Sequence, residues 1–386
     1  MTLEYLQMKF SQFQQYIVDK VTPFTVFKYN LILIDLQIFN LLMRESTNMA
    51  KITILRAALL LFLLTLTPFA HSFEWVPTDE EIKKYRQSWN PLSHGPILLQ
   101  SVDTQPKGQL SVREFFFSQI GESSFGNRLS FATDSKNGPV HLYQISPSVN
   151  AAYGVTNHIE VGAALSMNTF WANQNGTRTS DTSFGDVSLV MKYRPIIQDP
   201  DSWRPSITHF TQIVLPTSRW TGAERPPGGF SPLGRLPSTR FGEYGITQGI
   251  MTRKNLEPFR ISAAVFYTYA VPGENGGRTT YSGDVINTRL IFEHIVDPKH
   301  GFGYNIELST LHGTTWRTDG HQINSGQLKG FSIVGVEPAL QWNFSQNWMV
   351  GAGCLFTVAG QNSMNAIYPN ISVFWFWDKS GKIVMR

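Results

Sequence analysis

The sequence predicts an all-β fold: an antiparallel transmembrane β-barrel of about twelve strands, preceded by a cleaved signal peptide. Three observations predict it. Apolar and polar residues alternate with a period of two in one segment after another, as strands require because successive side chains point to opposite faces. The apolar face carries the large residues and the other face is small, polar or charged, the arrangement of a wall that turns outward to lipid. The links between segments alternate between short and long, as periplasmic turns and outer loops do in such barrels.

The chain of 386 residues is long enough for one large or two ordinary domains. Its single cysteine, Cys354, excludes an intrachain disulfide framework and a cysteine-built zinc site. The formal charge of +4 is spread along the chain, with no basic cluster interleaved with aromatics, so nucleic acid is not an expected partner.

Met49-Ala-Lys-Ile-Thr-Ile-Leu-Arg56 precedes the apolar run AALLLFLLTLTPFA and the small-x-small site Ala70-His71-Ser72. That is a signal peptide over 49–72, with cleavage after Ser72. It is too short for a good membrane-spanning helix. Residues 1–48 have mixed charge and no clear periodicity, and read as a mis-called extension upstream of a true start at Met49. Without residues 1–72 the chain is nearly neutral, so charge steering is not its main device. Residues 73–107 are polar, with a short helical patch around Asp79–Gln87, and read as a periplasmic lead-in that packs against or inside the pore. The barrel spans 108–377, and 378–386 form a periplasmic tail.

The strands follow in order. Gln109–Ser118 alternates poorly. Tyr143–Tyr153 places Tyr143, Ile145 and Val149 on one face. His158–Asn168 sets Ile159, Val161 and Leu165 against Glu160. Phe184–Arg194 sets Leu189, Met191 and Tyr193 against Lys192 and Arg194. Ser206–Leu215 follows. Arg240–Arg253 sets Tyr244, Ile246 and Ile250 against Glu243. Phe259–Ala270 sets Ile261, Val265 and Tyr267 against Arg260. Asp284–Ile295 sets Ile286, Leu290 and Phe292 against Asn287, Arg289 and Glu293. Phe302–Leu311 sets Tyr304, Ile306 and Leu308 against Glu307. Phe331–Phe344 and Trp348–Gly360, joined by Ser345-Gln346-Asn347, make a hairpin, with Glu337 on its small face and Trp342 and Trp348 near its turn. Ala366–Trp377 is the last. The outer links Thr169–Ser183, Pro216–Thr239, Val271–Gly283 and His312–Gly330 are long, whereas most inner links are short.

The inward set, Glu160, Lys192, Glu243, Arg260, Asn287, Arg289, Glu293, Glu307 and Glu337, either lines a narrow aqueous channel or fills the lumen as paired charges. Arg289, facing across to Glu337, is the leading solute contact. Pro147, Pro338 and Pro369 fall on outward positions of downward strands; each lacks a ladder donor and is expected to bulge or break the pairing. This is either a constraint on wall shape or a lateral opening.

No catalytic constellation is expected. The histidines are scattered, and His312 and His321 share a loop without acidic partners at ligand spacing, so neither a metal site nor a cofactor is expected. Outer-membrane phospholipases carry a His followed closely by Ser-Asn-Gly, and Leu311-His312-Gly313-Thr314 lacks that pair.

Several phrases carry a family resemblance. They are Tyr153-Gly154-Val155-Thr156-Asn157-His158-Ile159-Glu160, Gly185-Asp186-Val187 leading to Lys192-Tyr193-Arg194, Val214-Leu215-Pro216-Thr217, Gly283-Asp284, and Pro338 before Asn343-Phe344-Ser345-Gln346-Asn347-Trp348. With Gly360-Gln361-Asn362 beyond, the chain over about 140–377 resembles the meta-pathway phenol-degradation family of bacterial outer-membrane transporters. The resemblance implies a barrel in the outer membrane linked to uptake of hydrophobic or aromatic small molecules, and no catalytic residues. Ser218 stands where that family has glycine, and the chain continues past its terminal aromatic strand through DKSGKIVMR. The expected function is an outer-membrane channel or transporter for small, hydrophobic or aromatic solutes. The expected partners are outer-membrane lipid, the solute, and the barrel assembly machinery during biogenesis. The alternatives are a structural or adhesive barrel with a plugged lumen and an outer-membrane lipid hydrolase.

Overall fold

The computed structural model describes residues 76–91, 95–134, 140–174, 177–217, 244–275, 278–322, 329–345 and 347–377. The extension 1–48, the signal peptide with its cleavage after Ser72, the tail 378–386 and Glu243 lie outside the described residues.

Among the described residues one helix precedes the strands, α1 (Asp79–Gln87). Its start is fixed by a capping box: Glu81 N–H donates to the Thr78 hydroxyl while Thr78 N–H donates to the Glu81 carboxylate. Acidic residues fill its first turn and Lys84 and Arg86 its last, the polarity that the helix dipole favours. Ile82 and Tyr85 are its buried face and pack with Ile197.

The strands are β1 (Leu110–Ser124), β2 (Val140–Gly154), β3 (Ile159–Gln174), β4 (Thr177–Phe184), β5 (Val187–Ile196), β6 (Ser206–Leu215), β7 (Gly245–Leu256) and β8 (Phe259–Ala270). After these come β9 (Gly273–Asn275), β10 (Arg278–Tyr281), β11 (Val285–Asp297), β12 (Phe302–Gly313), β13 (Arg317–Thr318), β14 (His321–Gln322), β15 (Phe331–Trp342), β16 (Trp348–Gln361) and β17 (Met364–Trp377). Twelve of them are neighbours in a ring: β1, β2, β3, β5 with its outward continuation β4, β6, β7, β8, β11, β12, β15, β16 and β17. The last pairs antiparallel with the first, from Leu110↔Trp377 to Ser124↔Met364, and closes the wall. A closed wall has no edge strand and satisfies the backbone in hydrocarbon.

The outward face is apolar around the ring. Val149, Leu189, Ile250, Val265, Leu290, Ile306, Leu340 and Ile371 are all exposed. No interior lies on that side to bury them, so the wall is a membrane wall. At its periplasmic end the rings of Trp342 and Phe344 lie 5.9 Å apart and those of Phe344 and Trp348 6.4 Å, part of an aromatic girdle.

Two expectations about the outer side need correction. Thr169–Ser183 is not a loop: β3 and β4 continue through it as a hairpin in register up to Gln174↔Thr177. The links 271–283 and 312–330 contain β9, β10, β13 and β14, which form a separate four-stranded sheet. Their polar composition hid them, because a hairpin that projects beyond the bilayer needs no apolar face.

The wall pairing is interrupted at each of the three prolines, without change of register. Between β2 and β3 the ladder passes from Ile145↔Thr169 to Ser148↔Ser166, skipping Pro147. Between β1 and β17 it passes from Phe117↔Asn370 to Ile120↔Ile367, skipping Pro369. Between β15 and β16 it passes from Val336↔Phe356 to Ala339↔Gly353, skipping Pro338. Each proline keeps its pairing on the other side, as Phe116↔Pro147, Cys354↔Pro369 and Ile306↔Pro338. A residue in an antiparallel sheet exchanges both its hydrogen bonds with one neighbour. The missing proline N–H therefore weakens one seam only.

A charge placed on the lipid face measures the membrane assignment. Val265→Arg, at an exposed position midway along β8, is expected to destabilise the barrel by about 2–4 kcal/mol in bilayers, read by urea titration of folded against unfolded protein in liposomes.

Candidate functional site

The closed wall encloses a polar lumen, which is occupied by the chain's own residues 95–106. Many inward residues of the wall are charged, amide or hydroxyl side chains, with apolar ones such as Phe210, Met251 and Ile291 among them, and many are buried. Gly108, with φ at 83°, turns the chain from the lumen into β1. A Cβ at Gly154 would lie 2.0 Å from the Pro106 carbonyl, so the end of the plug passes directly over a glycine.

Asp103 is the centre of the plug. Arg194 from β5 reaches one of its oxygens at 2.5 Å, and Arg253 from β7 reaches the other at 2.8 Å. The Tyr85 hydroxyl donates to the first at 3.0 Å. Burial, then the Asp103 charge, pushes the Tyr85 phenol up to about 12, so it remains a donor. Lys192 donates to the Ser101 and Asp103 carbonyls, each at 3.0 Å, and pairs with Glu160 at 2.8 Å. Glu160 also accepts from Gln105 N–H at 2.7 Å, and Thr208 donates to the Val102 carbonyl at 2.6 Å. Glu307 accepts from Ile97 N–H at 2.5 Å and Leu98 N–H at 3.1 Å. Arg113 donates to the Ile97 carbonyl and Arg260 to the Pro91 carbonyl. Leu99 and Val102 add an apolar grip among Phe210, Met251, Ala264 and Ile291, each side chain contributing about 1.5–3 kcal/mol on full burial.

The remaining expected lumen residues form a second layer. Arg289 donates to Asn287 at 3.2 Å and sits 3.8 Å from Glu307. Arg260 and Glu293 approach to 3.9 Å. Arg289 and Glu337 lie near enough to feel each other's charge, but among the described residues no ion pair joins them. β11 is adjacent to β12 but separated from β15, so Arg289 turns to Glu307, and Glu337 accepts instead from Asn370 at 2.7 Å. Gly353 makes room for that carboxylate, because a Cβ there would lie 2.4 Å from it. Of the two readings of the inward charges, this geometry is that of a filled lumen: they are covered by the plug or engaged with one another. Asp103, Arg113, Arg253 and Tyr85 belong to the site although the sequence did not single them out. Arg253 falls on an inward position of an alternating strand and was open to that parity argument, whereas Arg113 lies in Gln109–Ser118, which alternates poorly. Asp103 lies in irregular chain and carried no such signal.

Outside the wall, α1 is fastened to the β5–β6 turn. Lys84 reaches Asp199 at 2.7 Å and Asp201 at 2.8 Å, and Arg204 reaches Glu81 at 2.7 Å. The Lys84 hydrogen bond holds the Asp199 carboxyl down to about 2. The same bond raises Lys84. Burial pushes Glu81 up, but the Thr78 N–H and Arg204 outweigh it and leave it lowered. On the outer rim, a hollow of about 350 Å³ is lined by Tyr267, Asp284, His312 and Ser332. Its polar groups are already engaged, Tyr267 with Asp284 at 2.6 Å and His312 with Ser332 at 2.9 Å. Among the described residues no group of three His, Cys, Asp or Glu side chains is placed to hold a metal.

Two outcomes follow from this geometry. Asp103→Asn leaves two buried arginines without their carboxylate and is expected to weaken plug docking by about 3–5 kcal/mol, read as faster proteolysis within 95–106. The α1 fastening depends on pH. Asp199 is lowered from its ordinary 3.8, so its contribution is complete above about pH 4 and is lost as pH falls towards 2. Lys84 is raised from 10.5, so its contribution is present below that pH and is lost above it. Protection of the α1 amides, taken relative to intrinsic exchange at the same pH, is expected to be high between these limits and to fall at acid pH before the wall melts.

No family model matches the chain, and no curated protein matches it. Among solved structures, the COG4313 outer membrane channel from Pseudomonas putida F1 superimposes with a TM-score of 0.57 at 12% identity, covering 72% of this chain and 99% of that one. The translocator domain of the autotransporter NalP from Neisseria meningitidis (TM-score 0.42, 10% identity, 71% of this chain and 90% of that one) and the P. putida toluene transporter TodX (0.33, 8%, 71% and 91%) are more distant in shape. At these identities the similarity concerns the fold, and the fold is that of a bacterial outer-membrane β-barrel.

Proposed function

We propose that this protein is an outer-membrane channel or transporter for small, hydrophobic or aromatic solutes, gated by its own N-terminal plug. One observation carries the reading: the obstruction is a separate segment of chain, held chiefly by ion pairs and hydrogen bonds to the wall. A wall built only for rigidity can fill its lumen with its own side chains. Here the wall's charges point at backbone groups of residues 97–105 and at one carboxylate, Asp103. The fold shared with an outer membrane channel supports this reading. So do the sequence phrases resembling the meta-pathway phenol-degradation family, in which we place the chain. Lipid surrounds the apolar band, and the barrel assembly machinery inserts it.

The occupied lumen also favours a structural or adhesive barrel, and conductance separates the two. In planar bilayers the full chain is expected to show small, intermittent currents, and deletion of 95–106 to raise conductance several-fold. Silence of both proteins, with no uptake defect on gene deletion, leaves the structural reading.

A further inference from the structure

The hollow on the outer rim lies on the lipid side of the wall, not in the lumen. Strand register places its floor. Ile286 on β11 pairs with Tyr267 on β8 and with His312 on β12. His312 pairs with Ser332 on β15, and Ser332 with Gln361 on β16. The row is outward-facing: Tyr267 and Ile286 are exposed and continue the lipid-side sets of Val265 and Leu290. Two residues nearer the periplasm stand Val265 and the hydroxyl pair of Thr288 and Thr310, 2.6 Å apart. Two further on, Leu290 and Leu308 are exposed. In the other direction the wall gives way to the polar outer links. The hollow, of about 350 Å³, therefore sits at the outer edge of the apolar band, at the depth of the outer-leaflet headgroups.

Its rim is held by fixed backbone. The Lys329 carbonyl accepts from the Thr315 hydroxyl at 2.7 Å, and the Gly330 carbonyl from the Asn362 side-chain amide at 2.9 Å. Gly330, with φ at 99°, passes the Gly313 carbonyl, which a Cβ would approach to 2.9 Å. Across the hollow, Asp284 N–H donates to the Thr314 hydroxyl at 2.8 Å, and the Asp284 carbonyl accepts from Thr314 N–H at 2.9 Å. Lys329 is thereby set at the edge. Its side chain is exposed, and among the described residues no carboxylate pairs with its ammonium.

The lining narrows the occupant. A cation without a carboxylate at headgroup depth suits a lipid phosphate. The same hollow contains a carboxylate, which an all-anionic ligand would meet with repulsion. Asp284 accepts from the Tyr267 hydroxyl at 2.6 Å and from Ala270 N–H at 3.3 Å, and a carboxylate has lone pairs for further donors. Ser332 and Gln361 can each donate and accept. A glycerophospholipid offers the phosphate but few donors for Asp284. A phosphorylated amino sugar offers both, since its O–H and N–H groups can donate to the carboxylate while its phosphate meets the lysine. The volume falls within the roughly 300–1,000 Å³ of small-molecule sites.

We propose that this hollow holds the phosphorylated glucosamine headgroup of an outer-leaflet glycolipid of the lipid A class. Lys329 takes the phosphate and Asp284 a sugar O–H or N–H. The acyl chains run down the wall over Val265, Leu290 and Leu308. The site does not depend on whether the lumen conducts.

Native mass spectrometry of the full chain, stripped of lipid by detergent exchange, tests it. The probes are bisphosphorylated hexa-acyl lipid A, the same lipid dephosphorylated, and phosphatidylglycerol. The wild type is expected to retain a single lipid A, to bind the dephosphorylated lipid several-fold more weakly, and to keep lipid A against an excess of phosphatidylglycerol or inorganic phosphate. Lys329→Glu is expected to lower the retained fraction several-fold, and Ser332→Trp, which fills the hollow, to abolish retention. Lys83→Glu makes the same charge change at an exposed position of α1 and is expected to leave retention unchanged. Resistance of each barrel to unfolding in cold dodecyl sulfate confirms that it is folded, and Lys329→Ala, a milder change at the same exposed position, is expected to move in the direction of Lys329→Glu. Wild-type retention in both Lys329→Glu and Ser332→Trp overturns the site. Equal binding of the dephosphorylated lipid overturns the role of Lys329. Displacement by an equal concentration of phosphatidylglycerol overturns the glycolipid assignment in favour of any anionic lipid, and displacement by inorganic phosphate overturns a lipid occupant altogether.

Discussion

A backbone N–H in hydrocarbon has no partner except another strand, and the rest of this structure follows from that constraint. It makes the twelve strands close, with β17 returning to β1. Closure reverses the usual distribution of residues: the large apolar side chains face outward and the charges are enclosed. Enclosed charges then need partners of their own, because a buried ion without one is costly. The lumen is therefore not an empty consequence of the wall. It is a second folding problem, solved with a different part of the chain.

That solution is uneven. Around Asp103 each carboxylate oxygen meets an arginine at short distance, and apolar contacts from Leu99 and Val102 reinforce these pairs. Around Glu293, Glu307 and Glu337 the ion pairs are long, and several polar atoms, including Asn305 and one oxygen of each carboxylate, have no partner within the protein. Such atoms are suited to water. The plug thus divides the interior into a tightly tied layer and a looser one.

Most of the wall was legible in the sequence because a period of two leaves little freedom once one face must meet lipid. Val265 and Leu290 could not face inward without turning Arg260 and Glu293 to the membrane. Strand ends were less legible. β3 and β4 run past the bilayer, where Arg178 and Ser180 stand exposed and alternation fades into polarity. The site was legible by parity but not by pairing. That Arg289 and Glu307 point inward follows from their strands; that they meet each other, and Glu337 meets Asn370, depends on strand order and on the diagonal reach of long side chains. Asp103 was least legible, because irregular chain has no period and its role exists only when two distant arginines converge on it. The prolines were the reverse case. Their local chemistry alone dictated where the ladder would fail, and the closed ring decided only which neighbour each would lose.

Asp103 also sets the electrical character of whatever path the lumen provides. It is a carboxylate carried by the plug, whereas both of its arginines belong to the wall. While the plug is seated, the charges at that level are matched. Once it withdraws, Arg194, Arg253, Arg260 and Lys192 face Glu160 and Glu293 across open water, and cations outnumber carboxylates in this group. The vacated pore then concentrates anions and repels small cations, and a mobile anion takes the place that Asp103 left. The residue that closes the lumen is the one whose departure decides which ions cross it.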